Sequence, residues 1–157
     1  MPLSSPPAAT TAATTAARPY RLDEQVGYLL RLATQRHAHI LQTHVPHDLT
    51  PTQFAALLRL AQLGTCSQNE LGRQIAVDAA TIKGVVDRLR RKGFIATHPD
   101  PDDKRRLMLS LEQGLDDMIA ELHAIGFHIT EATLEPLAPS ERAEFVRLLT
   151  KAAFAEP

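Results

Sequence analysis

The side chains best suited to meet a polyanion are concentrated between Asp78 and Leu111. Ile82, Val85, Val86 and Leu89 recur at three-and-four spacing, which predicts one buried helix face and turns Thr81, Lys83, Gly84, Asp87 and Arg91 outward. From Thr81 to Ser110 eight Lys/Arg stand against four Asp, a net of +4, whereas Glu112 to Glu144 holds eight acids against Arg142 alone. The whole chain is nearly balanced, with 17 basic and 18 acidic side chains. Local charge decides which face docks, because charges beyond about 8 to 10 Å are screened at physiological salt. Arg88, Arg90, Arg91 and Lys92 also admit a plainer reading, as a solvated helix end whose cations favour the negative pole of the helix dipole.

If this helix enters a major groove, Thr81 and Lys83 are its polar readers and Ala79 and Ala80 suit thymine methyl groups. Gly84 costs a helix interior about 1 kcal/mol against alanine, which close approach of DNA or tight packing inside the protein would each explain. Gln68 and Asn69, in the first turn of the preceding helix, suit phosphates, or are ordinary helix-start polarity.

His37 and His44 lie seven residues apart on the apolar stripe of the first helix, in line with Val26 and Ala33, while His39 faces away. Three readings fit them: satisfied core or interface histidines, donors to a small aromatic acid walled by Phe54, Leu58 and Met118, or metal ligands together with His47, His123 and His128. No tight H-x-x-x-H or cysteine cluster supports the last, so no metal ligand and no cofactor is assigned. The single cysteine, Cys66, precedes Ser67-x-x-Glu70, a capping-box pattern in which it would staple onto Leu71. No Gly-rich phosphate loop, metal-ligand motif or nucleophile elbow points to an enzyme.

These residues need particular elements to position them. Apolar residues from Leu22 to Leu41 hold a helical period for about six turns, ending before Pro46. Thr50 with Pro51 starts a second helix that stops at Gly64, and Ser67 starts a third. A three-residue turn, Ile75-Ala76-Val77, leads to Asp78 as N-cap of the fourth, so helices three and four form a helix-turn-helix. Gly93 closes the fourth helix, and Phe94–His98 and Leu107–Leu111 alternate as strands around PDPDDKRR. A fifth helix follows from Leu115, and a sixth runs from Pro139 to about Phe154 behind a weak N-cap, Ala138.

The expected fold is mainly α: a winged helix-turn-helix with long N- and C-terminal dimerisation helices and a two-stranded wing. Residues 1–19, almost all Ala, Thr, Pro and Ser, are expected to be a disordered tail; 20–48 and 112–157 a dimerisation region; 49–111 a DNA-binding lobe. With no apolar run of transmembrane length and no secretory start, a cytoplasmic protein with no membrane partner is expected.

From Leu22 to Phe154 the chain resembles the MarR family of winged-helix regulators. The resemblance rests on LTPTQF (49–54), CSQNEL (66–71), TIKGVVDRLRRKGFI (81–95) and, most specifically, the D-x-R of Asp103 and Arg105 within DPDDKRR (100–106). It implies a dimer that binds pseudo-palindromic promoter DNA, commonly as a repressor, and that releases it when a small aromatic acid enters a cleft beside the DNA-binding lobe. It also implies that Arg105 enters the minor groove, with Asp103 holding the loop and Arg106 beside it. Two features depart from the family pattern: Glu112 stands where a capping threonine is common, and no cysteine lies near the start of the first helix, which disfavours thiol-based peroxide sensing. The alternatives are a zinc-responsive regulator of the same fold and a winged-helix module that binds protein and never reads DNA.

Overall fold

The computed structural model describes residues 19–155, so all of the expected tail but its last residue lies outside the described residues. A 3-10 turn at Leu22–Glu24 precedes α1 (Val26–His44) and α2 (Pro51–Leu63). Then come β1 (Thr65–Ser67), α3 (Gln68–Gln74), α4 (Ala79–Arg91), β2 (Ile95–Pro99), β3 (Leu107–Leu111), α5 (Asp116–Leu134) and α6 (Pro139–Ala153). The fold is mainly α, a winged helix-turn-helix flanked by long helices, as the residue pattern leads one to expect.

Three details differ. The first helix is not continuous from Leu22, because Gln25 is extended (φ −84°, ψ 126°) and separates the 3-10 turn from α1. The two-stranded wing hairpin, β2 and β3, gains a third strand at its base: β1 pairs antiparallel with β3, giving a three-stranded sheet in the order β1-β3-β2. Three residues are too few to carry a strand period, and only the pairing of Cys66 with Leu109 across the sheet reveals β1. The capping box of α3 is half formed: Ser67 Oγ accepts the Glu70 N–H at 3.3 Å, but the Glu70 carboxylate turns to Arg73 and Gln74.

The box forms fully at α2, where Thr50 Oγ1 accepts from the Gln53 N–H at 3.3 Å and Gln53 Oε1 accepts from the Thr50 N–H at 3.0 Å. At α6 the alanine offers no cap, yet Glu141 Oε2 accepts the Ala138 N–H at 2.8 Å and so satisfies one end group. No residue follows the wing as a side-chain cap for α5; the Glu112 N–H closes the junction on Phe94 O at 3.1 Å, and Gly114 turns the chain at φ 79°.

Leu57, Leu60, Leu71, Ile82, Leu89, Leu109 and Leu122 are fully buried, so one core joins α2, α3, α4, the sheet and α5. The helix-turn-helix closes tightly: a Cβ on Gly72 would lie 3.1 Å from Ile82 Cγ2. By contrast no residue of α1 or α6 is buried. Val26, Leu29, Leu30 and Leu32 on α1 and Phe145, Val146, Leu148 and Leu149 on α6 remain exposed. No helix among the described residues is long and apolar enough to cross a membrane.

Candidate DNA and effector sites

α4 carries its buried face inward through Ile82, Val85, Val86 and Leu89 and is started by Asp78, whose Oδ1 accepts the Thr81 N–H at 2.7 Å. That bond, and then the Thr81 hydroxyl, hold the Asp78 carboxyl below its usual range. Ala79, Ala80, Thr81, Lys83 and Arg91 are exposed; Gly84 and Asp87 are half-buried. Lys83 Nζ lies 3.5 Å from Asp87 Oδ2, an exposed i,i+4 pair that opens at little cost. Arg91 folds onto its own helix, with Nε donating to Asp87 O at 3.3 Å.

Gly84 is not a packing glycine. A Cβ there would meet only Arg88 Nη1, at 3.9 Å, so internal crowding does not account for it. The tight glycine is Gly72, one helix earlier, which sequence reasoning did not single out; only the crossing of α3 and α4 distinguishes the two.

The wing is ordered from within by aspartates. Asp103 Oδ1 accepts the Arg105 N–H at 3.0 Å, and Asp103 O accepts the Arg106 N–H at 2.8 Å. Asp100, the one buried carboxylate among the described residues, accepts the Asp102 N–H at 2.9 Å and faces Arg106 Nε at 3.9 Å. Arg105 is exposed. Together with Arg73, the exposed Asn69 and half-buried Gln68 at the start of α3 face Asp103, Arg105 and Arg106 across an open groove of about 560 Å³. A second groove, lined by Asn69, Arg73, Val77 and Ala79, continues this surface from α3 to the start of α4.

Cys66 is buried in β1, and burial, followed by the nearby Glu70 carboxylate, pushes its thiol up. A reactive thiolate is disfavoured there.

The five residues expected to meet an effector do not share one cavity. His37 is half-buried and lines an apolar groove of about 350 Å³ between α1, α5 and α6, with Leu30, Ala33, Thr130, Leu134, Phe145 and Leu149. Phe54 and Leu58 pack elsewhere, toward Gly126 of α5, and Met118 sits about 12 Å further back along that helix, against the core. His44 is exposed and lies against His128, with ring centroids 4.7 Å apart and ring planes tilted by 59°. Both imidazoles are hydrogen-bonded within the protein.

Their partners also fix which nitrogen carries hydrogen. The Thr133 hydroxyl donates to Ile129 O at 2.7 Å, so His37 Nδ1, 2.9 Å from Thr133 Oγ1, must be the donor of that pair. His44 Nδ1 donates to Ile40 O at 2.7 Å, leaving Nε2 to accept from His128 Nε2 at 3.1 Å. With His37 Nδ1 committed to Thr133, Nε2 is the ring nitrogen left for a ligand. Beside it Arg36, absent from the sequence reading, caps the end of α5 by donating to Thr133 O at 2.6 Å and Ala132 O at 2.9 Å. Its charge looked like one more solvated arginine; only the proximity of the α5 terminus gives it a role.

Comparison with known proteins adds four likenesses. The model of the MarR family matches residues 49–107. The transcriptional repressor NicR of Pseudomonas putida is 37% identical over 134 residues, spanning 85% of each protein. A probable transcriptional regulator from Pseudomonas aeruginosa superposes with a TM-score of 0.79 at 45% identity, covering 84% of this chain and 99% of that one. Bordetella bronchiseptica BpsR, whose structure concerns regulation of its DNA binding by 6-hydroxynicotinic acid, gives 0.82 at 37% identity, over 88% of this chain and all of BpsR.

Proposed function

Because the chain belongs to the MarR family of transcriptional regulators, we propose that it is a dimeric repressor that leaves a pseudo-palindromic operator when a small aromatic carboxylate binds. The observation that carries the DNA reading is the pair of grooves that meet at Asn69 and Arg73 of α3, one reaching Ala79 at the start of α4 and the other Arg105 in the wing, beside the exposed residues of α4. On that surface Thr81 and Lys83 face base edges, Ala79 and Ala80 face methyl groups, and Gly84 lets the duplex approach. Gln68, Asn69, Arg91 and Arg106 hold phosphates, Asp87 steers Lys83, and Asp103 holds Arg105 for the minor groove.

The dimer reading is supported by α1 and α6, whose apolar rows the described residues leave exposed. A second copy would bury them, with each large side chain contributing about 1.5 to 3 kcal/mol. Residues 20–48 and 112–157 are then the dimerisation region and 49–111 the reading lobe.

The effector reading is supported by His37 as the one imidazole in a mostly apolar groove that Thr34, Thr130 and Thr133 also line, and by the similarity to BpsR. His44, Phe54, Leu58 and Met118 lie off this groove and would act on it through α1 and α5.

A zinc-responsive regulator is the second reading, favoured by the facing Nε2 atoms of His44 and His128. His44 donates its other ring N–H to a carbonyl, as metal-ligating histidines do. Among the described residues, however, no group of three potential ligands converges.

Footprinting on the chain's own promoter, with 6-hydroxynicotinate, benzoate and salicylate in separate arms and zinc in another, tests both readings. Protection of a pseudo-palindrome that one of the acids abolishes is expected. Protection insensitive to every acid but altered by zinc favours the second reading, and no protection at all defeats the DNA-binding role.

A further inference from the structure

We infer that Lys92 is a positioning residue, which latches the recognition helix to the turn between α1 and α2 and, through that turn, to α5. The inference rests on the DNA-binding reading above. By composition Lys92 belongs to the cationic end of α4 and looks like one more phosphate contact. Its ammonium instead turns back into the protein, donating to His47 O and Asp48 O, each at 2.9 Å. Two of its three donors are spent on these carbonyls.

The turn it grips is under strain. His47 and Asp48 are consecutive non-glycine residues in the left-handed region, at φ 60° and 51°. Such a conformation persists only where the surroundings over-determine it. Here the surroundings come from three elements. Lys92 closes α4, since its own N–H bonds Arg88 O. Phe94, just beyond, meets the His47 ring edge-on at 6.5 Å. From α5, Glu121 Oε2 lies 3.0 Å from His47 Nε2. A displacement of α1 against α5 therefore pulls on the two carbonyls that anchor the C-terminal end of the reading helix. The latch fixes how α4 is presented to the major groove, while the residues that touch DNA lie elsewhere on that helix.

The test compares Lys92→Met, Lys92→Arg and Glu121→Gln with the parent in the full chain. Operator affinity is measured across salt concentrations alongside affinity for a random duplex. The Met variant should lose about tenfold in operator affinity, keep the parental salt slope and bind random DNA as the parent does; the Arg variant, still able to donate to both carbonyls, should recover most of the loss. Glu121→Gln loosens the same turn without removing any cation and should lose operator affinity in the same way. Equal weakening on both duplexes, with a salt slope reduced by about one, would make Lys92 a phosphate contact and overturn the inference. Parental operator affinity in both Lys92→Met and Glu121→Gln overturns it as well. Amide exchange at residues 47–50 without DNA separates the latch from the DNA reading: it should quicken in Lys92→Met, and unchanged exchange refutes the latch even if the parent binds no operator.

Discussion

Asp103 receives the Arg105 N–H on Oδ1 at 3.0 Å, so the acid fixes the backbone of the arginine while leaving its guanidinium in solvent. A cation held this way arrives at a narrow minor groove already placed, where the negative potential is enhanced. Arg105→Ala should weaken operator binding by at least tenfold with an unaltered melting temperature. Asp103→Ala should give a smaller loss, because the charge survives and only its placement is relaxed. Fluorescence anisotropy with a labelled operator reads both, and parental affinity for Arg105→Ala would remove the wing from the interface.

Gly72 and Gly84 should respond to alanine with opposite signs. At Gly72 the added methyl meets Ile82 Cγ2 at 3.1 Å and Val77 O at 3.4 Å, so overpacking should cost about 1 to 3 kcal/mol. At Gly84 the space is open, and the gain in helix propensity should stabilise the fold by up to about 1 kcal/mol. The same Gly84→Ala change should nonetheless weaken operator binding. Denaturant melts and binding titrations on the two variants separate the effects, and a destabilised Gly84→Ala would contradict the open surface.

Asp78 makes the stability of α4 depend on pH in a fixed direction. Its carboxyl is held below the ordinary value by Thr81, so the stabilisation is fully present above the ordinary aspartate range and is lost as pH falls through the depressed value. Asp78→Ala should therefore melt below the parent at neutral pH, with the gap narrowing in acid. A gap that widens in acid would contradict the capping role.

The exposed rows on α1 and α6 should make the protein a dimer at micromolar concentration. Leu148 stands exposed on α6 and is not among the residues lining the effector groove. Leu148→Glu should place a charge in the dimer interface and shift sedimentation toward the monomer. A parent that sediments as a monomer would leave those rows without an explanation.

Effector response should divide the two α1 histidines. His37→Ala should still bind operator but need at least tenfold more aromatic acid for release, because it removes the imidazole of the groove. His44→Ala should respond to the acid nearly as the parent does and lose any response to zinc. If neither variant alters the acid response, the effector lies outside the groove between α1, α5 and α6.

The buried stripe of α4, the Thr50 and Asp78 caps, the stops at Gly64 and Gly93 and the two longer strands were legible because each is fixed by a local period or a single end residue. What remained hidden depended on distant partners. β1 exists because Thr65–Ser67 finds β3 some forty residues away, and three residues carry no period of their own. Gly72 and Gly84 are indistinguishable as letters, yet one stands against Ile82 and the other against open space. Lys92 and Arg36 read as two more surface cations until the chain brings carbonyls of the α1–α2 turn and of the α5 terminus within their reach. The effector residues were the least legible. Helical phase puts His37 and His44 on one face, but α5 answers them with Thr133 and His128 at different heights, and so sends one into the groove and the other to a histidine pair. Sequence determines which face a side chain occupies, because that is set within a few residues; packing decides what it meets there, because the partner is supplied by a different part of the chain.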